Sequence, residues 1–174
     1  MWKQFPTSVV PIVWLCVFAL LLGFGCANST RGADEALRLR RANSHLNLGL
    51  DYIRNDRVAL GLRELQLAES FDSNNPRIHQ ALANTYLMRG KPVEAEQHFL
   101  RTLELDPTYH EARLNLSILY NQLTRYEESL THTSMLADDG TFPGPWRALA
   151  NKGLAEYRLG EVEEARRTLE LGFE

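Results

Sequence analysis

A five-residue pattern returns at a fixed spacing of 34 residues, and this recurrence constrains the fold more than any other feature of the chain. Leu48-Gly49-Leu50-Asp51-Tyr52 aligns without a gap on Leu82-Ala83-Asn84-Thr85-Tyr86 and on Leu116-Ser117-Ile118-Leu119-Tyr120. The second half of each unit keeps step. Gly61, Ala95 and Ser129 are small, and Leu65 and Phe99 follow four residues after the first two. A fourth unit reads Asn151-Lys152-Gly153-Leu154-Ala155-Glu156-Tyr157, then Gly160 and Ala165, with Leu169 four residues on. From Ser117 to Gly153 the spacing is 36, so two residues enter between units three and four, around the irregular turn Pro143-Gly144-Pro145. Self-similarity at such a period marks a stacked repeat array.

The spacing has a physical cause. Each unit is expected to be two antiparallel helices, with small residues where their backbones approach: Gly49, Ala83, Ser117 and Gly153 on the first helix, Gly61, Ala95, Ser129 and Ala165 on the second. Leu48, Tyr52, Leu65 and their repeat-mates fill the space around that contact at i, i+4 spacing. One helix pair cannot bury its apolar face alone, so stacked neighbours complete a continuous core. Ser73-Asn74-Asn75-Pro76, Asp106-Pro107 and the 138–145 stretch separate the units, predicting repeats over about 42–75, 76–109, 110–143 and 146–174. Leu169, Leu171 and Phe173 fall on the last helix with no capping helix after it. Solenoid ends need a polar cap. The expectation is therefore a docking face for a partner or second copy, or a shortened form of a longer array.

The first 33 residues behave differently. Lys3 is the sole charged residue before Arg31. It is followed by an apolar run over 9–22 and then by Gly23-Phe24-Gly25-Cys26-Ala27. A positive end, an apolar core and a small-residue site are what the export machinery reads. Gly25-Cys26 resembles the lipobox of bacterial lipoproteins, although Gly23 stands where Leu is usual. That resemblance implies a signal peptide over 1–25, acylation at Cys26, and a linker over 26–33 before a repeat domain at 34–174. Ala27 after the cysteine, rather than Asp, implies an outer-membrane location facing the periplasm. The alternative is an uncleaved inner-membrane signal anchor, since about 18 apolar residues can span a bilayer. Cys16 lies within the apolar run, so no disulfide framework is possible after cleavage. Beyond Lys3 the chain holds 18 basic and 22 acidic residues, a net charge of about −4 that gives no reason to expect nucleic acid.

Candidate chemistry dissolves into repeat structure. His45 and His79 occupy one repeat position, as do His98 and His132, but no His-x-x-x-His occurs, and no metal site or cofactor is expected. Glu127-Glu128, and Glu161 with Glu163-Glu164, open second helices, where acidic residues favour the helix N-terminus over acid–base chemistry. Arg38, Arg40 and Arg41 read as a solvated face. Serine nucleophile elbows and glycine-rich phosphate loops do not occur, so an enzyme is not expected.

The pattern Leu-Gly-x-x-Tyr, Ala-x-x-x-Phe, then Pro (here Leu105-Asp106-Pro107) resembles the tetratricopeptide repeat (TPR). This implies an all-α, right-handed superhelical solenoid whose first helices line a concave, protein-binding surface. By that resemblance the groove residues are Asn43, Leu46, Leu50, Ile53 and Arg54 in unit one. Unit two adds Arg77, Gln80, Asn84, Leu87 and Met88, and unit three Glu111, Leu114, Ile118, Asn121 and Gln122. Leu46, Leu50, Ile53, Leu87, Met88, Leu114 and Ile118 would form an apolar floor suited to an extended peptide or an amphipathic helix. The lipobox-like signal followed directly by these repeats resembles the type IV pilus biogenesis/stability lipoproteins, the PilW/PilF pilotin family. So does the insertion Thr141-Phe142-Pro143-Gly144-Pro145-Trp146. That likeness implies a secretin subunit as partner and a role in secretin localisation and assembly. Family members usually carry about six units rather than four. A general envelope scaffold that organises cell-wall enzymes is the other protein-binding reading.

Overall fold

The computed structural model describes the backbone over 10–172 and the side chains over 32–172. Met1–Val9, Phe173 and Glu174 lie outside the described residues, and so do the side chains of the 9–22 run and of Cys26. The described chain is all helix: α1 (Val10–Arg54), α2 (Val58–Phe71), α3 (Pro76–Met88), α4 (Pro92–Leu105), α5 (His110–Gln122), α6 (Tyr126–Ala137), α7 (Pro145–Leu159) and α8 (Val162–Leu171). The backbone is helical through 26–33, the stretch expected to serve as a linker. That stretch contains no proline, and Gly32 is its one glycine. The chain divides into two compact units, one ending at Arg41 and one beginning at Ala42. In the first, Arg38 pairs with Glu35 at 2.8 Å. The second is a TPR solenoid, with successive helix pairs stacked on one another.

The small residues sit where the helices touch. A Cβ on Gly61 would fall 2.5 Å from Ile53 Cγ1 and 2.9 Å from the Gly49 carbonyl, so the first hairpin closes backbone to backbone. The turn inside each unit needs one left-handed residue. Asp56, Gly90, Thr124 and Gly160 take it with φ of 60°, 66°, 59° and 89°. Their numbers repeat the 34, 34, 36 spacing of the units. Between units, Asn75 caps α3 by accepting from the Arg77 N–H at 3.1 Å, with Pro76 at the first helical position. Asp106 accepts from the Thr108 N–H and hydroxyl, and Asp139 does the same for Thr141.

Three buried clusters run along the array. Ala42, Leu46, Leu62, Leu65, Ile78 and Leu82 join units one and two. Ala83, Ala95, Phe99, Ala112, Leu116, Leu119 and Tyr120 join units two and three. Leu114, Leu136, Phe142 and Ala148 join units three and four. The two-residue insertion is thus anchored by Phe142, while its neighbour Trp146 stays exposed. A polar clamp braces the second of these junctions. Arg125 donates to both Glu96 oxygens at 2.8 and 2.9 Å and lies 4.3 Å from the centre of the Tyr120 ring. The Tyr120 hydroxyl also donates to Glu96, and burial together with that bond pushes its pKa up to about 12.

Unit four departs from the template. Counting from Gly153 as from Gly49, the tyrosine position falls on Glu156, which is buried beside Lys152 at 3.7 Å, whereas Tyr157 points outward. Leu48 also differs from its repeat-mates. It is exposed on the first unit, while Leu82 and Leu116 are interior.

Candidate functional site

Hydrogen bonds tie successive first helices into one row. Asn115 on α5 donates to Asn84 on α3 at 3.1 Å. Asn121 donates to the Asn151 carbonyl on α7 at 3.0 Å, and Arg147 on α7 donates to Glu111 on α5 at 3.0 Å. Side chains one helical turn apart on these helices therefore share a surface.

The expected groove residues divide sharply by burial. Leu46 and Leu114 are 1% and 0% exposed, so they belong to the core and not to a binding floor. At these two positions the neighbouring repeat covers a large side chain, and helical periodicity alone does not reveal that cover. Gln80 is buried too, and its Oε1 meets no hydrogen-bond donor among the described residues. Leu50, Ile53, Leu87 and Ile118 are half-buried against the clusters beneath them. Asn43, Arg54, Arg77, Asn84, Met88, Glu111 and Gln122 are exposed, with Met88 at 57%. Arg54 is held by Asp51 at 2.6 Å, and Asn121 is half-buried with its Oδ1 unpaired.

Ile118, Asn121 and Gln122 come together around a concavity of about 220 Å³, which Asn151, Leu154, Arg158 and Tyr126 complete. Leu154 and Arg158 repeat Ile118 and Gln122 at the 36-residue spacing, so the sequence carried the signal for extending the row into unit four. A second hollow, of about 420 Å³, lies on unit one between Leu48, Asp51, Tyr52, Asn55 and Arg57. None of the expected groove residues lines it.

The acidic pairs are spent on helix starts and ion pairs. Glu127 and Glu128 sit in the first turn of α6, and Glu163 and Glu164 in that of α8. The Arg125 guanidinium at 2.9 Å holds Glu128 below the usual carboxylate range. Glu163 bonds Arg166 and Glu164 bonds Arg167. The histidines sit at helix junctions: His45 contacts Glu64 at 2.7 Å, and His110 contacts Asp139 at 2.8 Å.

A scaffold of stacked TPR hairpins with a row of exposed first-helix side chains is typically a protein-interaction module, and comparison with known proteins agrees. Residues 76–119 match the tetratricopeptide repeat family. The type IV pilus assembly protein PilF of Pseudomonas aeruginosa is 24% identical over 163 residues, covering 88% of this chain and 63% of PilF. The chain thus spans less than two thirds of that relative. Among solved structures, MamA superposes with a TM-score of 0.72 at 19% identity, covering 76% of this chain and 77% of MamA. PilW, described as a widely conserved type IV pilus biogenesis factor, superposes with a TM-score of 0.68 at 23% identity, covering 75% and 60%. The chain thus has a TPR-type helical-repeat fold, similar in sequence to PilF and in fold to MamA and PilW.

Proposed function

We propose that this chain is a membrane-tethered scaffold that captures a secretin subunit on its first-helix row and assists secretin localisation and assembly in type IV pilus biogenesis. The observation that carries the reading is that row: exposed Arg77, Asn84, Met88 and Gln122 flanked by the half-buried apolar Leu50, Ile53, Leu87 and Ile118. The similarity to PilF supports the choice of system. Acyl chains on Cys26 would hold the scaffold at the outer membrane and raise the local concentration of whatever the row captures.

Leu50 and Ile53 pack on the core, so an aspartate at either would disturb folding as well as binding. Met88→Asp isolates binding, because Met88 is largely in solvent. Crosslinked pull-down from envelopes is expected to recover secretin with the unaltered chain. Met88→Asp should lower recovery roughly tenfold at unchanged helicity. Equal recovery with Met88→Asp sinks the groove, and recovery of cell-wall hydrolases without secretin transfers the reading to a general envelope scaffold. Mass spectrometry of the N-terminal peptide tests the acyl group on Cys26.

A further inference from the structure

The two 34-residue histidine spacings interlock in a way that neither shows alone. In units one and two the fourth residue meets a residue on the second helix of the same unit, 19 positions later: His45 meets Glu64, and His79 meets His98. In unit two, both members of the pair are therefore imidazoles. A third group arrives from the preceding unit, Glu69 on α2. His79 Nδ1 and His98 Nδ1 lie 3.1 Å apart, and Glu69 Oε1 is 3.5 Å from the first and 3.9 Å from the second.

We propose that Glu69, His79 and His98 form a binding site for a divalent transition-metal ion, zinc foremost, bridging α2, α3 and α4. Bond lengths of about 2.0–2.1 Å in a tetrahedral shell place ligand atoms roughly 3.3–3.4 Å apart. The three separations bracket that edge, so small side-chain shifts close the shell. Two imidazoles and a carboxylate suit zinc, and three protein ligands leave a fourth position for water or an incoming donor. The support around the ligands has the form such sites require. His79 Nε2–H donates to the Ser73 carbonyl at 2.9 Å, which selects the tautomer whose Nδ1 lone pair faces Glu69 and His98. The His98 ring stacks on Tyr86 with centroids 5.4 Å apart and planes 12° from parallel. His79 is buried, whereas Glu69 and His98 are partly exposed, leaving a path for the ion. Among the described residues this is the one group of three such side chains close enough to share an ion. The same positions hold His45 with Glu64 in unit one and Arg113 with His132 in unit three, where the arginine cannot coordinate.

The test uses the untagged full chain in detergent, stripped with a chelator and titrated calorimetrically with zinc chloride alone. One equivalent is expected to bind. A free-zinc concentration 100 times Kd should raise Tm by roughly 5–10 °C. Glu69→Gln, at a partly exposed position where folding is not at stake, should weaken affinity at least about tenfold, and His98→Gln should do the same. His132→Gln should leave it unchanged. Cobalt(II) should give the intense visible absorption of a tetrahedral site, lost in His98→Gln. Absence of saturable binding, or equal affinity in Glu69→Gln and His98→Gln, would overturn the proposal and leave an N–H···N hydrogen bond between the rings. The outcome is independent of whether the first-helix row binds secretin.

Discussion

Units two and four follow the same template under different packing. In unit two, α3 and α4 lie between α2 and α5, and Phe99 is 0% exposed. In unit four, α7 packs on α5 and α6 while α8 packs on α7, and no described helix covers their far side. There Leu169, the repeat-mate of Phe99, is 39% exposed. It borders a hollow of about 550 Å³ with Leu154, Tyr157 and Val162. The tyrosine position of the template has become Glu156, whose Oε2 has no hydrogen-bond partner among the described residues. A repeat position acquires its energetic role from the next repeat, so one residue pattern yields a core site in unit two and an open face in unit four, where no described repeat follows.

That contrast can be broken most directly at the paired positions Phe99 and Leu169. Phe99→Ala should cost about 3–5 kcal/mol in urea unfolding, and Leu169→Ala about 1–2 kcal/mol. Equal losses would mean that the outer face of α8 is covered in solution. Glycine substitutions sharpen the comparison. Gly61→Ala forces a methyl group against Ile53 and the Gly49 backbone and should cost about 1–3 kcal/mol. At Gly153 the obstacle is the half-exposed Leu169 side chain, 2.7 Å from the added Cβ, which can swing outward. Gly153→Ala should therefore stay within about 0.5 kcal/mol, the helix preference for alanine offsetting the crowding. A smaller gain is expected at the turn of unit three. Thr124 holds φ of 59° where unit two has Gly90, so Thr124→Gly should raise stability by about 1 kcal/mol.

The weakest effect concerns pH at the turn leading into unit four. The Thr141 hydroxyl and N–H, and then His110, hold the Asp139 carboxyl at about 2, below its ordinary 3.8. A depressed carboxylate pKa contributes stability above the ordinary value, and that contribution is lost as pH falls from about 4 through about 2. Hydrogen exchange at the Phe142 amide, which donates to the Asp139 carbonyl, should quicken across that window in the native chain. In Asp139→Asn the exchange should be fast throughout and show no such step.

Much of the fold was legible before any coordinates. The spacing of Gly49, Ala83 and Ser117 located the helix contacts, and Asn75-Pro76 and Asp106-Pro107 marked the starts and ends of units. These signals are local, because small residues, caps and turns act on their own backbone. The site was legible in part. The first-helix row follows from the repeat positions, but Leu46 and Leu114 proved to be core, and Leu154 and Arg158 joined the row from a unit left out of the expectation. The meeting of Glu69, His79 and His98 could have been sought from a 19-residue offset superposed on the repeat, yet Glu69 enters from a different unit.

Period, helix count and the chemistry of the turns were set by the order of amino acids alone, because each is decided within a few residues. Which side chains are covered, which remain open, and which titratable groups from separate units share one space depended on the stacking of hairpins. Burial is a property of the neighbour as much as of the residue.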